Sequence, residues 1–179
     1  MAVFTITGAT GSVGRAIIQT LQSQSHEIRV LSTRKSVEIN GVSSFYWNPN
    51  TNEIDQDALI GSDYLIHLAG ATVSKRWTAA YKKQIMDSRV DGTQLLLSTM
   101  RRLKTPLKAV ISASAIGYYG SNLERLMKER DAPANDYLAA VTKTWESYTQ
   151  KFESPQTRSI QLRTGIVLDS GAGVLGRLE

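Results

Sequence analysis

Close to its amino end the chain passes from a short apolar run straight into three evenly spaced glycines, Gly8-Ala9-Thr10-Gly11-Ser12-Val13-Gly14. Ala2–Thr7 precedes them and Ile17-Ile18 follows. That context predicts a strand that turns tightly and opens a helix. Each glycine has a mechanical reason. Gly8 permits the turn, Gly11 lets backbone approach a pyrophosphate with no Cβ between, and Gly14 lets the helix pack closely on a sheet. The unpaired N–H groups and the dipole at the helix start then favour an anion. The segment Gly8, Ala9, Thr10, Gly11, Ser12, Val13 and Gly14 is therefore expected to seat a dinucleotide.

The rest of the chain alternates apolar runs with helical patterns, which argues for parallel βαβ units. Strands are predicted at Ala2–Thr7, Glu27–Ser32, Ser44–Trp47, Asp63–Ala69, Leu107–Ser112 and within Ser159–Leu168. Helices are predicted at Ser12–Gln24, Thr78–Leu103 and Tyr137–Phe152. The expected fold is α/β, a Rossmann-type doubly wound parallel sheet of about six strands. Trp77, Tyr81, Ile85, Leu96, Met100 and Leu103 read as the apolar stripe of the second helix, and Gly92 as a point of close helix–sheet approach. Leu138, Val141, Trp145 and Tyr148 read as the stripe of the third.

Composition narrows the function classes. The 179 residues suit one dinucleotide-binding domain, 1–179. With no Cys and only His26 and His67, disulfides, thiolate sites and a His-rich metal centre are excluded, and no metal is expected. No apolar run approaches the ~18 residues of a membrane helix. The amino end has no basic region of the kind that opens a signal peptide. The expectation is a cytoplasmic protein with a small-molecule substrate and no membrane partner; a homo-oligomer is left open. The net charge is +5. Much of it lies in Lys75, Arg76, Lys82, Lys83, Arg89, Arg101, Arg102 and Lys104. A solvated helix face is the reading adopted over nucleic-acid binding, because no aromatic platform or zinc-finger spacing accompanies the charge.

Coenzyme choice is read about 20 residues after the glycines, where an NAD-binding chain places an acid for the ribose diol. Here the chain reads Leu31-Ser32-Thr33-Arg34-Lys35, without an acid. Arg34 can fork onto a 2′-phosphate, with Ser32 and Lys35 assisting. NADP is expected in preference to NAD.

Further motifs carry a resemblance. Thr7–Gly14, Asp63-Tyr64-Leu65-Ile66-His67-Leu68-Ala69-Gly70, Arg89-Val90-Asp91-Gly92-Thr93, Ser112–Gly120 and Leu162–Leu168 resemble the signature segments of the extended short-chain dehydrogenase/reductases. Arg89 stands where those proteins usually have Asn. Together with Trp47-Asn48-Pro49 and Lys75-Arg76-Trp77-Thr78, they resemble the atypical branch called epimerase family proteins. The resemblance implies Asn48 beside the adenine, and Leu68, Ala69, Gly70 and Ala71 along the pyrophosphate and ribose. His67 reads as a core histidine. Proteins of that branch continue into a C-terminal substrate-binding portion, so the resemblance implies that this sequence is a fragment lacking it.

The superfamily's usual chemistry pairs a Tyr with a Lys four residues later, one helical turn away. The lysine charge favours the phenolate. A Ser at a strand end holds the substrate oxygen. Ser114 and Tyr118 match the strand-end positions, with Ser112 a weaker substitute. Tyr137 opens the third helix, where the Tyr is expected, yet four residues on stands Val141. None of the seven tyrosines has Lys at that spacing. At about 100° per residue, Lys143 points well away from Tyr137. The reading is an NADP-binding oxidoreductase or epimerase-like enzyme acting on a sugar, polyol or nucleotide-sugar-like substrate. Ser114 orients that substrate, Tyr118 moves the proton, and Tyr137 is the alternative acid. The competing reading, from the missing lysine, is a non-catalytic NADP-binding redox sensor.

Overall fold

A computed structural model describes residues 1–35, 38–39, 41–121, 125–169 and 172–173. Strand β1 (Val3–Thr7) feeds helix α1 (Ser12–Ser23), followed by β2 (Glu27–Ser32), β3 (Ser43–Asn48) and the two-residue β4 (Glu53–Ile54). Next come β5 (Tyr64–His67), the long α2 (Ala79–Leu103), β6 (Ala109–Ala115), α3 (Tyr137–Thr149) and β7 (Arg158–Thr164). A small antiparallel pair, β8 (Leu168–Asp169) and β9 (Ala172–Gly173), closes the described part.

The seven-stranded sheet runs β4-β3-β2-β1-β5-β6-β7. All its pairs are parallel except β3–β4, where Trp47 faces Ile54. The order reverses between β1 and β5, which makes the carboxyl ends of those two strands the switch point where such sheets bind ligands. The sequence reading thus gave six of the seven strands. It missed β4, which is too short to show a period and follows the Asn48-Pro49-Asn50 turn.

Helix α1 covers one face through Ile18, packed on Ile6, Ile28, Val30 and Ile66. On the other face Leu95 and Leu96 of α2 close over Leu31, Leu65 and Val110, together with Phe152 beyond α3. Helices α2 and α3 lie side by side. Gly92 is the close approach expected: a Cβ there would stand 3.3 Å from the Trp47 ring. Trp77 departs from its expected stripe. Thr78 caps α2 by accepting from the Tyr81 N–H, so Trp77 lies ahead of the helix, 40% exposed. Its indole N–H donates instead to the Val73 carbonyl. No described helix is long and apolar enough to cross a membrane.

Strand β6 runs to Ala115, three residues beyond its expected end. Ser112 and Ser114 therefore sit inside a strand, and their side-chain directions follow its alternation.

Candidate functional site

The cleft opens between the ends of β1, β2 and β5. Gly8 has φ +74, and a Cβ there would lie 2.9 Å from the Ala69 nitrogen. A Cβ on Gly14 would stand 2.5 Å from the Gly8 carbonyl oxygen. Those two glycines are required by the fold itself. Gly11 differs, since its Cβ would meet only the Gly8 oxygen, at 3.5 Å. Its missing side chain leaves space above the start of α1. Gly11 is also the N-cap of α1 and offers no capping side chain. The first amides of that helix thus remain available to an anion.

Thr7 fastens the ends of β1 and β5 together. Its Oγ1 accepts from the backbone N–H of Leu68 (3.1 Å) and Ala69 (3.2 Å), and lies 2.7 Å from His67 Nδ1. With two N–H groups already on that oxygen, its own proton goes to Nδ1. The ring proton then sits on Nε2, facing Thr93 Oγ1 at 3.2 Å. Burial pushes the His67 pKa down to about 4, and the Arg89 charge pushes the same way. His67 is a neutral core group, edge-on to Trp47 and Trp145.

The cleft encloses about 540 Å³. Of the residues expected at the coenzyme, Gly8, Ala9, Thr10, Gly11, Ser32, Asn48, Leu68, Ala69, Gly70 and Ala71 line it. Ser12, Val13 and Gly14 lie behind the rim in the first turn of α1. Arg34 and Lys35 are exposed just past the Ser32-Thr33 rim, where the Arg34 N–H donates to Ser32 Oγ at 3.1 Å. Trp47, Asn50, Gln84 and Ser88 also line the cleft. Ser88 Oγ accepts from the Ala71 N–H at 2.9 Å and so fixes the floor.

Arg89 is not part of a solvated face. Its Nη1 donates to the carbonyls of Ala71 (3.1 Å) and Ile85 (2.9 Å), and its guanidinium lies 5.0 Å from the centre of the Trp145 ring. A Cβ on Gly70 would come within 3.2 Å of Arg89 Cζ. Burial lowers the Arg89 pKa. The side chain is a prop beneath the Gly70-Ala71 turn.

The three residues expected to do chemistry are in very different situations. Ser114 is buried, and its hydroxyl donates to Glu146 Oε1 at 2.5 Å. Arg163 grips the same carboxylate with Nε and Nη2, each at 2.8 Å. Its Nη1 donates to the Tyr119 hydroxyl and the Glu129 carbonyl, both at 2.8 Å. The bond to Glu146 is the main reason the Arg163 pKa is raised. Tyr137 donates its hydroxyl proton to the Lys82 carbonyl at 2.8 Å, and desolvation raises its pKa. The Arg163 guanidinium lies over the Tyr118 ring, Cζ being 3.5 Å from the ring centre. Its hydroxyl has no hydrogen-bond partner among the described residues. Val141 is buried in the core and Lys143 is exposed, so neither supplies a cation to Tyr137.

A sequence model of the family described as NAD dependent epimerase/dehydratase matches residues 4–163. The chain belongs to that family. An epimerase family protein of Mycobacterium leprae is 33% identical over 179 residues, covering 99% of this chain and 57% of the relative. One from Staphylococcus aureus is 33% identical over 181 residues, covering 100% of this chain and 60% of the relative. Among solved structures, the nucleoside-diphosphate sugar epimerase from Corynebacterium glutamicum superposes with a TM-score of 0.82 at 31% identity, covering 99% of this chain and 36% of that one. The human epimerase family protein SDR39U1, solved with NADPH, gives a TM-score of 0.80 at 25% identity, covering 98% of this chain and 58% of that one. The chain spans under two thirds of the length of these relatives.

In this epimerase-family chain two of the residues that sequence reading passed over share one property. Glu146 and Arg163 are charges placed on packed elements, in the buried face of α3 and at the penultimate position of β7. A charge at a core position is itself a signal, because it is retained only when paired. Ser88 and Gln84 give no such signal in sequence.

Proposed function

We propose that this chain holds NADP(H) for an oxidoreductase or epimerase-like reaction on a small sugar, polyol or nucleotide-sugar-like substrate. The observation that carries this is the glycine-lined start of α1, without a side-chain cap, facing a cleft of about 540 Å³ at the switch point of the sheet. Gly8–Gly14 would seat the pyrophosphate, Asn48 the adenine, and Leu68–Ala71 the ribose. Arg34, with Ser32 and Lys35, would take the 2′-phosphate. The human relative solved with NADPH supports the same choice. When bound, the nicotinamide supplies a hydride acceptor or donor.

Of the side chains near the end of β6, Tyr118 is the proton donor this reading assigns. The Ser114 and Tyr137 hydroxyls are already engaged as donors, to Glu146 and to the Lys82 carbonyl. The Tyr118 hydroxyl has no acceptor among the described residues. Ser114 acts through Glu146 and Arg163, which hold the strand end and the Tyr118 ring in place, and so it is a positioning residue. The test is calorimetric titration with NADPH and NADH, followed by turnover of a full-length homologue against a panel of carbonyl sugars. Tight NADPH binding with turnover lost in Tyr118→Phe is expected. No NADPH binding would overturn the reading. Tight binding without turnover on any carbonyl would favour the redox sensor, whose motive is the missing lysine.

A further inference from the structure

Arg89 is a partly buried cation without a counter-charge. Its Nη1 is held by the carbonyls of Ala71 and Ile85, and its guanidinium lies against the Trp145 ring. Carbonyls and a ring face fix a cation in place but leave its net charge intact. No carboxylate forms an ion pair with it among the described residues. On the two helices that enclose it, Asp87 is taken by Lys83, Glu146 by Arg163, and Asp136 caps α3. Asp91, two residues on, does not share its helix face. Residues 70–86, leading from the Gly70-Ala71 turn into α2, contain Lys75, Arg76, Lys82 and Lys83 and not one Asp or Glu. Lys82, two helical turns before Arg89, has its Nζ 5.0 Å from the centre of the Tyr137 ring. A cation withdrawn this far from water is ordinarily paired.

The charge lies next to the cleft without lining it. Gly70 and Ala71 do line the cleft, and both also meet this guanidinium. The Ala71 carbonyl accepts from it, and a Cβ on Gly70 would come within 3.2 Å of its Cζ. Its field already reaches the end of β5. His67, three residues before Gly70, has its pKa pushed down to about 4 by burial and then by the Arg89 charge. Coulomb energy falls only as the first power of distance. The guanidinium therefore acts on a charge in the cleft that it does not touch.

The coenzyme reading puts adenine at Asn48, on the β3 side of β1, and the other end of the molecule at the Leu68–Ala71 turn, on the β5 side. The nicotinamide ring is positively charged when oxidised and neutral when reduced. The rest of the molecule is the same in both forms. We propose that Arg89 makes this chain select the oxidation state of its coenzyme, holding NADPH more tightly than NADP+. The inference rests on the coenzyme reading above. Arg34 cannot supply the choice, because the 2′-phosphate is common to both forms.

Fluorescence titration reads NADPH binding directly. Competition against it reads NADP+ and 2′,5′-ADP, which has the adenine and the 2′-phosphate but no nicotinamide. The wild type should bind NADPH about tenfold more tightly than NADP+. Arg89→Gln removes the charge and keeps a hydrogen-bond donor, and should bring the two affinities within about threefold of each other. Arg89→Lys keeps the charge, and its ratio should stay within about threefold of the wild type. All three chains should bind 2′,5′-ADP alike.

A ratio lost in Arg89→Gln and kept in Arg89→Lys supports the proposal. Equal affinities in the wild type overturn it, whether or not either variant folds, and leave the coenzyme reading standing. A ratio that survives Arg89→Gln, or disappears in Arg89→Lys, also overturns it, since the charge is then not what discriminates. Equal weakening of NADPH, NADP+ and 2′,5′-ADP in Arg89→Gln reduces the side chain to a structural prop and overturns it as well. A wild type that binds neither NADPH nor 2′,5′-ADP is a different failure, that of the coenzyme reading itself.

Discussion

The Ser114 hydroxyl and the Glu146 carboxylate meet at 2.5 Å, both buried on the face of the sheet that α3 covers. Arg163, opposite Ser114 in the β6–β7 register, completes the carboxylate with two further hydrogen bonds. Every oxygen of that buried charge is therefore satisfied from within the protein. The group ties β6, β7, α3 and the turn carrying Tyr118 and Tyr119 into one unit.

Removing the cation should be costly. Arg163→Met leaves Glu146, its side chain only 6% exposed, without a counter-charge. A loss of about 3–5 kcal/mol in urea unfolding is expected. Ser114→Ala removes one charge-assisted hydrogen bond and should cost about 1.5–3 kcal/mol. An Arg163→Met chain as stable as the wild type would show that the pair contributes nothing.

Two glycines of the same loop should behave oppositely. In Gly14→Ala the new Cβ would stand 2.5 Å from the Gly8 oxygen, so melting should fall with a loss of about 1–3 kcal/mol. In Gly11→Ala the nearest atom is 3.5 Å away, so melting should stay near wild type. NADPH affinity should nevertheless drop about tenfold, because the methyl group enters the space kept for the anion. Thermal melting and fluorescence titration of NADPH on each variant separate the two effects.

Arg34 should decide coenzyme preference. Arg34→Ala should weaken NADPH by about ten- to a hundredfold, the range of a hydrogen-bonded charge, and leave NADH nearly unchanged. Parallel calorimetric titrations read the ratio. Equal losses for both coenzymes would place Arg34 away from the 2′-phosphate.

Stability should also depend on pH through His67. In the folded chain this ring stays neutral down to about pH 4, whereas its ordinary pKa is 6.5. Between those values the unfolded chain binds the extra proton. The contribution is therefore complete above about pH 6.5 and is lost as pH falls towards 4, by about 2 kcal/mol at pH 5. Urea midpoints measured from pH 7.5 to pH 5 should fall in the wild type. His67→Gln should flatten that slope, and an unchanged slope would assign it to other groups.

Much of the fold around the cleft was legible in the sequence. The glycine spacing, the strand before it and the helix after it are local features, and their steric demands act over a few residues. Ser12–Ser23, Glu27–Ser32 and Tyr137–Thr149 begin where the pattern placed them. Trp77 was misread because a four-residue period continues past a cap, and only the Thr78 hydroxyl on the Tyr81 amide shows where the helix starts. Ser114 illustrates the larger difficulty. Its match to a family position says nothing about which face of the strand its hydroxyl occupies, or which group already holds it.

The order of elements, the glycine turn and the basic residues after the second strand were determined by the sequence alone, because each depends on neighbours in the chain. The pairing of Ser114 with Glu146, 32 residues away, and the place of Arg89 beneath Gly70 were decided only in the folded molecule. So was the seating of Lys82 against Trp77 and Tyr137. Strand alternation and helix packing choose those partners by bringing distant segments face to face. A buried charge or hydroxyl must then find its counterpart there, since water no longer reaches it.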